Sequence, residues 1–399
     1  MRVLFLTPYY KPYLGGIERV IERLSNGMAS SPEPHQVAVL TTKYLFPRQY
    51  DRALLSQEVI DGVIVRRLDG WPHIAPPFFS VPLVWFRPGD IDRFVRDFQP
   101  DILHWMGDGW FWGHYFSARA AGDQAGIVFS PSFHKLTLDK KWLRPINQRL
   151  CRLADVVTVL SRHEASLIAS AYGVDESKLV LLPWGADLPG LATDENRSPE
   201  ITVLCVGRLG EHKDQDFLLD VWAASRERFQ RPARLVLVGR DEGGHGGATH
   251  LRHRIAMTGL DRDVTITGEV STAELQAWYH RAHVFSLFSH YEAFGLVFFE
   301  AMAAGLPVLT HAVGANRELL RRGSIVVGRH DVHAASDALV RLVNDDTLRS
   351  RLSLEAQTYA RDFTWQAAVD RTLTTYLQAL ERHRTGRHVA TGKAAVLAH

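Results

Sequence analysis

This chain is poor in cysteine, in net charge and in long apolar runs, and each shortage excludes a class of protein. Its 399 residues include 2 cysteines, Cys151 and Cys205, whose separation fits neither a disulfide scaffold nor a zinc knuckle. With 46 Lys and Arg against 44 Asp and Glu, a formal charge of +2 indicates no general affinity for nucleic acid or an anionic membrane. The apolar start is too short for a signal peptide, and no run reaches the roughly 18 residues of a membrane span. We therefore expect a cytoplasmic globular protein of two or three domains.

Familiar phosphate-binding motifs are also missing. No G-x-G-x-x-G follows the first predicted strand, as a dinucleotide dehydrogenase would require, and no G-x-x-x-x-G-K-[ST] indicates a P-loop. The Gly-rich segment GRDEGGHGGATH is interpreted as a flexible connection between a strand and a helix. Asp261 and Asp263 form a lone D-x-D, a weak metal signal that we interpret as a loop before a strand. No cofactor and no metal is predicted.

Short β-branched and Leu-rich runs alternate with longer amphipathic segments, as in parallel strands joined by crossover helices. This pattern occurs twice, and the polar stretch ATDENRSPE separates the two sets. The predicted strands are 2–7, 36–42, 101–105, 126–132, 156–161 and 179–185 in the first set, and 201–207, 234–239, 264–268, 283–289, 307–311 and 324–328 in the second. The predicted fold class is α/β, with two tandem Rossmann-like doubly wound domains facing a central cleft.

The same pattern gives the domain boundaries. Residues 1–187 are the predicted N-terminal Rossmann-like domain, and residues 188–363 are the predicted C-terminal Rossmann-like domain. Residues 364–383 are predicted as a long helix that returns to the first domain. Residues 384–399 are predicted as a mobile tail.

The stretch HYEAFGLVFFEAMAAG places two carboxylates in an otherwise apolar segment. Glu292 lies in the predicted loop after a strand, and Glu300 lies roughly 8 Å along the following helix. The start of this helix offers an anion site through the amides of Phe294, Gly295 and Leu296. A polyhydroxylated ligand that carries phosphate would use all of these groups. In the alternative interpretation, Glu292 is a solvated loop charge and Glu300 interacts only with the helix dipole.

Two cations lie at the start of the second predicted domain. In VGRLGEHKDQDF, Arg208 directly follows a strand, and Lys213 lies in the loop before a helix. Because both are at the carboxyl end of the same strand, they could clamp a diphosphate. The alternative is that they are two exposed basic residues.

The C-terminal half resembles the retaining glycosyltransferases of family four, which have the two-Rossmann-domain B fold. Glu292 to Glu300 matches their E-x7-E motif, and Gly207 to Lys213 matches their G-R-L-x-x-x-K element. The resemblance covers roughly residues 201–320, and LLPWGADL resembles the hinge between the two domains of the family.

The resemblance also reaches the first domain. PYLGGIERV resembles the glycine loop of the family, with Gly15 and Gly16 at the start of a helix where their amides would face the donor phosphate or the acceptor. In SPSFHK, His134 matches a histidine that the family commonly has. Lys135 stands where the family has Asp after that histidine.

The resemblance implies transfer of a sugar from a nucleotide diphosphate sugar to a hydroxyl of a glycan or lipid-linked acceptor. The N-terminal domain, 1–187, would bind the acceptor, and the C-terminal domain, 188–363, would bind the nucleotide sugar. The anomeric configuration would be retained and no metal would be required. Arg208 and Lys213 would stabilise the departing diphosphate. Glu292 and His134 would contact the donor sugar, and Glu300 the ribose.

The sequence identifies the acceptor less directly. Five tryptophans of the first domain would stack on a sugar or lipid, or else pack in a core: Trp71, Trp85, Trp105, Trp110 and Trp112. The basic stretch 135–152 would contact the inner face of a membrane or form a solvated surface. Two other functions stay open, a nucleotide-sugar epimerase and a non-catalytic nucleotide-sugar-binding protein.

Overall fold

The computed structural model describes residues 1–13, 15–46, 49–71, 85–107, 111–131, 144–190 and 198–396. The chain divides into two compact units. Unit 1 comprises Met1–Pro183 together with Trp365–His399, and unit 2 comprises Trp184–Thr364. The chain thus passes from one unit to the other twice, and its first crossing follows Pro183, whereas the sequence predicted residue 187.

The described part of unit 1 has twelve strands. They are β1 Arg2–Leu6, β2 Gln36–Thr42, β3 Tyr44–Phe46, β4 Gln49–Tyr50, β5 Gln57–Ile60, β6 Val63–Leu68, β7 Gly70–Trp71, β8 Trp85–Phe86, β9 Ile102–Met106, β10 Gly126–Ser130, β11 Val156–Val159 and β12 Leu179–Leu181. Eight form one sheet in the order β12-β11-β10-β9-β1-β2-β6-β5, in which only β5 is antiparallel to its neighbour. The other four pair as β3-β4 and β7-β8. All six strands predicted for this half are present, but the β5-β6 hairpin and the two small pairs were missed.

Five helices of unit 1 precede the first crossing within the described ranges. They are α1 Gly16–Ala29, α2 Pro88–Phe98, α3 Phe111–Ala121, α4 Arg144–Leu153 and α5 Arg162–Tyr172. The central strands are buried along nearly their whole length, as expected for parallel strands with helices on each side. Leu4, Leu103 and Phe129 are fully buried in the resulting core.

Unit 2 is a doubly wound sheet of six parallel strands in the order β15-β14-β13-β16-β17-β18. The strands are β13 Ile201–Val206, β14 Ala233–Val238, β15 Val264–Gly268, β16 Val284–Ser286, β17 Val308–His311 and β18 Ser324–Val327. The helices are α6 Gln215–Ser225, α7 Ala248–Met257, α8 Thr272–Arg281, α9 Leu296–Ala303, α10 Asn316–Leu319, α11 Val332–Asn344 and α12 Asp346–Ala360. The predicted fold class, two Rossmann-like α/β domains in tandem, is confirmed.

The last helix, α13, runs from Trp365 to Val396 and belongs to unit 1. It begins one residue after the start of the predicted helix 364–383 and continues into the segment that was predicted as a tail, because no proline interrupts it. The Tyr376 hydroxyl lies 2.7 Å from His104 Nδ1, and both side chains are buried. Across the described ranges, every helix falls short of the combination of length and apolarity that a bilayer span requires.

Candidate active site

The strand order of unit 2 reverses between β13 and β16, which lie side by side. From β13 the chain continues to β14 on one side, and from β16 it continues to β17 on the other. In doubly wound sheets, ligands bind outside the carboxyl ends of the strands at such a reversal. Arg208 and Lys213 follow β13, and Glu292 follows β16. The topology therefore brings both predicted motifs to the same edge.

Lys213 and Glu292 form a buried ion pair at this edge. Lys213 Nζ donates to Glu292 Oε1 at 2.5 Å, and Ser289 Oγ donates to the same oxygen at 2.7 Å. Their side chains are only 16% and 9% exposed. Burial acts to raise the pKa of Glu292, but the Lys213 charge and the hydrogen bonds from Lys213 and Ser289 outweigh it and lower this pKa below its ordinary value. The alternative interpretation of Glu292 as a solvated loop charge is therefore wrong.

Arg208 is the more accessible of the two cations. Its side chain is 50% exposed and forms an ion pair with Glu242. The Arg208 carbonyl accepts a hydrogen bond from Gln215 Nε2 at 2.9 Å, which fixes the backbone at the end of β13. A guanidinium binds carboxylates and phosphates in the same geometry, so the group that pairs with Glu242 also suits a phosphate.

Glu242 comes from the Gly-rich segment between β14 and α7, which packs closely on the Arg208 loop. A Cβ atom at Gly246, where φ is +74°, would lie 2.5 Å from the backbone nitrogen of Glu211. Asp241 Oδ1 accepts hydrogen bonds from the amides of Gly243 and Ala248 at 2.8 and 2.9 Å, and these bonds lower the pKa of Asp241. The segment connects a strand to a helix, as predicted, and it packs against the Arg208 loop. Glycine is needed at position 246 because the two backbones touch there.

Glu300 lies in α9 and is 5% exposed. Its Oε2 accepts a hydrogen bond from the hydroxyl of Tyr279 at 2.8 Å, a partner that the sequence motif did not indicate. Gly295 caps α9 with φ of +75°, and a Cβ there would lie 2.5 Å from the Phe298 ring. The first amides of a helix have no carbonyl partner within the helix, so α9 presents donors beside Glu292, beginning at Leu296.

Phe294, which was assigned to the helix start, has a different side-chain role. Its ring is 2% exposed and stacks on Phe299 with centroids 4.6 Å apart. Only its backbone can serve an anion site. The lone D-x-D lies away from this set, before β15, where Asp263 pairs with Arg226 at 3.4 Å.

In unit 1, the predicted glycine loop leads directly into α1. Gly15 precedes the helix, Gly16 is its first residue, and a Cβ at Gly16 would meet no atom within 4 Å. Glu18 belongs to none of the predicted motifs and is 7% exposed. Burial raises its pKa to about 7, although hydrogen bonds from the amides of Glu18 and Gly15 act to lower it. His134 lies outside the described residues.

The aromatic and basic segments divide between core and surface. Trp105 is fully buried and stacks on His114 with centroids 5.3 Å apart, whereas Trp112 is 43% exposed. Trp71 and Trp85 are paired across β7 and β8, and Trp110 lies outside the described residues. In the basic stretch 135–152, residues 135–143 lie outside the described residues. Arg144 Nε donates to the carbonyl of Ala171 at 2.8 Å, and Arg149 lies over the Tyr115 ring.

Two protein families match most of the chain between them. Residues 14–189 match the family described as "Glycosyltransferase Family 4", and residues 193–359 match "Glycosyl transferases group 1". The chain is 30% identical over 370 residues to a D-inositol 3-phosphate glycosyltransferase of Nocardioides sp., covering 81% of this chain and 78% of that protein. A D-inositol 3-phosphate glycosyltransferase of Xylanimonas cellulosilytica is 30% identical over 251 residues, covering 59% and 60%. The chain thus spans about 60% of the length of several such relatives.

Solved structures share the fold over nearly the whole chain. Sucrose-phosphate synthase of Thermosynechococcus elongatus superposes with a TM-score of 0.75 at 20% identity, covering 94% of this chain and 98% of that one. Anabaena HepE in complex with UDP and glucose superposes with a TM-score of 0.71 at 17% identity, covering 94% and 99%.

Proposed function

Since this chain belongs to the family 4 glycosyltransferases, we propose that it transfers a sugar from a nucleotide diphosphate sugar to a hydroxyl of a glycan or lipid-linked acceptor, with retention of the anomeric configuration. The observation that carries the proposal is the buried Lys213–Glu292 pair at the strand-order reversal of unit 2. A buried ammonium and carboxylate at the carboxyl edge of a doubly wound sheet suit a ligand with both phosphate and hydroxyl groups.

In the proposed reaction, the bond between the anomeric carbon and the β-phosphate oxygen breaks, and the nucleoside diphosphate leaves with the electron pair. The acceptor hydroxyl oxygen forms the new bond to the anomeric carbon, and its proton passes to the departing diphosphate. Negative charge grows on that phosphate. Lys213, Arg208 and the first amides of α9 would stabilise the charge, as preorganised donors do at other anionic transition states. An ammonium has three donors, so Lys213 can bind phosphate while it keeps its bond to Glu292. This arrangement requires no metal.

The two glutamates have separate proposed roles. Glu292 would accept hydrogen bonds from hydroxyls of the donor sugar, and Glu300 would bind the ribose while Tyr279 fixes its orientation. The family resemblance assigns His134 a contact with the donor sugar near its anomeric carbon. Gly15 and Gly16 would present amides to the acceptor or to the donor phosphate, and the Gly15 amide would exchange its bond to Glu18 for one to that ligand. The names of the relatives make inositol 3-phosphate the first acceptor to assay.

We also propose a reducing, cytoplasmic location, which the two buried free cysteines support. Burial raises the pKa of Cys151 and of Cys205 to about 12, so both thiols are protonated and unreactive. Residues 135–152 would contact the inner face of a membrane if the acceptor is lipid-linked. Binding of the protein to anionic vesicles but not to neutral ones would support this contact.

The test compares Lys213→Ala and Arg208→Ala with Arg228→Ala, a control that removes an exposed ion pair with Asp337 in the same unit. Losing a hydrogen bond to a charged group costs about 1.5–3 kcal/mol, so each site variant should lower turnover by roughly ten- to a hundredfold. The control should retain wild-type turnover. Wild-type rates in both folded site variants would contradict the assignment.

The product separates this function from the two others. A transferase releases free nucleoside diphosphate only when acceptor is present. An epimerase would convert the donor sugar without releasing nucleotide, and a binding protein would do neither.

A further inference from the structure

Three loops at the carboxyl edge of the unit 2 sheet bring a carboxylate and two imidazoles together. Asp214 Oδ2 lies 2.8 Å from His330 Nε2 and 3.4 Å from His290 Nδ1, and the three candidate ligand atoms lie within 4.8 Å of one another. None of these side chains has a part in the proposed transfer. We propose that this Asp214 cluster binds a transition-metal ion of the zinc class.

The hydrogen bonds of Asp214 leave one oxygen for the histidines. Asp214 Oδ1 caps α6 by accepting a hydrogen bond from the amide of Phe217 at 3.3 Å. Oδ2 therefore faces both imidazoles and takes no part in the cap. A simple ion pair between Asp214 and one histidine would involve only His330. The second imidazole, from His290, requires another explanation.

His290 supplies the observation that favours a metal over an ion pair. Its Nδ1 is buried and has no hydrogen-bond partner within the described structure, although it faces Asp214 Oδ2. Buried polar nitrogens are nearly always paired, so an unpaired one indicates a bound water, a bound ion or a functional role. A metal ion between the three ligand atoms would give His290 Nδ1 a partner. Asp214 Oδ2 and His330 Nε2 would then both bind the ion and would no longer pair with each other.

The distances suit zinc. Zinc lies about 2.0–2.2 Å from nitrogen and oxygen ligands, which places tetrahedral ligand atoms about 3.3 Å from one another. The separations of 2.8 and 3.4 Å bracket that value. Two imidazoles with one carboxylate favour zinc, nickel or copper over magnesium or calcium, which prefer oxygen ligands alone.

A further histidine braces the cluster. His311 is fully buried, lies 2.8 Å from the carbonyl of Ser289 through Nε2, and accepts a hydrogen bond from the backbone of His330 through Nδ1 at 3.4 Å. It therefore links the loops that carry His290 and His330, as outer groups around metal sites do. His290 and His330 are 38% and 42% exposed, so an ion can enter and keep an open position for water.

A second cluster nearby serves as an internal comparison. Asp216, His245 and His250 also lie within 4.8 Å of one another. There, however, the guanidinium of Arg254 donates to Asp216 at 2.9 Å, so the Asp216 carboxylate already has a positively charged partner. We expect this second cluster to bind a metal ion more weakly than the Asp214 cluster.

The test uses the full chain without a histidine tag, stripped with a chelator and titrated with Zn²⁺ by equilibrium dialysis. His290→Ala, His330→Ala and Asp214→Asn should each lose one bound equivalent, and Asp214→Asn keeps an oxygen that can cap α6. Two control variants should keep the bound equivalent. His245→Ala changes the second cluster, and His333→Ala changes an exposed histidine that belongs to neither cluster. Co²⁺ should give the visible absorption of a tetrahedral or five-coordinate ion in the wild type and not in His330→Ala.

Melting temperature gives an independent readout. Zn²⁺ at about a hundred times its dissociation constant should raise the Tm of the wild type by roughly 4 °C or more, and should not raise that of His330→Ala. Two results would overturn the proposal: a wild type that binds no ion, or an equivalent that survives in His290→Ala and His330→Ala. Because neither readout measures transfer, failure here leaves the proposed function untouched.

Discussion

Glu18 is a buried carboxyl group in the first turn of α1. Burial raises its pKa from 4.5 to about 7, so the folded chain holds this proton more tightly than the unfolded chain does. When folding raises the pKa of an acid, its contribution to the free energy of unfolding is complete at pH values below the pKa of the unfolded chain. It is lost as the pH rises from about 4.5 through about 7.

Glu18→Gln should remove that pH dependence, because the amide has no proton to lose. A shift of this size corresponds to about 3 kcal/mol across the interval. Urea unfolding at pH 5 and at pH 8 measures the effect. The variant should lose less stability than the wild type over this range, whereas the exposed control Glu33→Gln should behave as the wild type does. Parallel losses in all three proteins would show that Glu18 titrates normally.

Glu292 and Glu300 differ in what surrounds them, and this difference predicts different defects. Glu292→Gln should impair transfer and sugar selection while free nucleoside diphosphate still binds, since its partner Lys213 remains. Glu300→Gln should weaken free nucleotide and intact donor alike, by the 1.5–3 kcal/mol of a charged hydrogen bond. Calorimetry with nucleotide alone and with donor sugar separates the two patterns. Equal nucleotide binding by the wild type and both variants would mean that Glu300 serves only its helix.

The sequence predicted single charged residues better than it predicted their partners. Arg208, Lys213 and Glu292 could be placed at one edge because each follows a buried strand. The contact between Lys213 and Glu292 spans 79 positions and depends on β13 lying beside β16, which the strand order in sequence does not reveal. Glu242 and Tyr279 were missed for a related reason: neither belongs to a motif, and only tertiary packing brings them to the site.

At the scale of elements, long apolar strands were predictable and short polar ones were not. Along β5 and β6 the more exposed and less exposed residues alternate, but polar and apolar residues do not. The two strands are joined by Asp61 and Gly62, with φ of 51° and 81°. Asp-Gly between two strand-forming runs is a strong hairpin signal, which the predicted set of parallel strands did not include. The close packing of the loop between β14 and α7 was not predicted, because glycine is common both in flexible segments and where two backbones touch.

That loop provides a matched pair of variants. Gly246→Ala would push a methyl group into the backbone of Gly210 and Glu211, at 2.6 and 2.5 Å, and so displace the loop that carries Lys213. Gly244→Ala has the same kind of backbone, φ of +65°, but meets no atom within 4 Å, so it should cost only the left-handed penalty of about 1–2 kcal/mol. Thermal unfolding and donor turnover should both fall further in Gly246→Ala. Equal losses would show that the close packing is unimportant.

At the scale of the whole molecule, unit 1 is assembled from two separate parts of the chain. α13 supplies Tyr376 to His104, which also lies 2.7 Å from Ser130 Oγ. Arg371 donates to the carbonyl of Pro183 at 3.4 Å, which holds α13 at the end of the first segment. Unit 2, in contrast, is one continuous stretch, and its two ends are joined by a hydrogen bond from the amide of Ala186 to the carbonyl of Phe363.

This organisation predicts how fragments behave. Residues 184–364 should fold alone with a cooperative thermal transition, since all their sheet partners are present. Residues 1–183 alone should not fold cooperatively, because they lack α13, which packs on His104 and β10. Joining residues 365–396 to 1–183 through a flexible linker should restore a cooperative transition. If 1–183 melts cooperatively without α13, the helix is an accessory and not a part of the unit.

The double crossing also determines the order in which the molecule can be completed during translation. The first 183 residues emerge early, yet their unit lacks α13 until the ribosome has made everything up to that helix. Unit 2 begins later and is finished earlier. The nascent chain must therefore carry an incomplete first half, with its apolar β10 surface uncovered, throughout synthesis of the second. We expect chaperones that shield exposed apolar surface to engage this chain at its beginning and to be released only at its end.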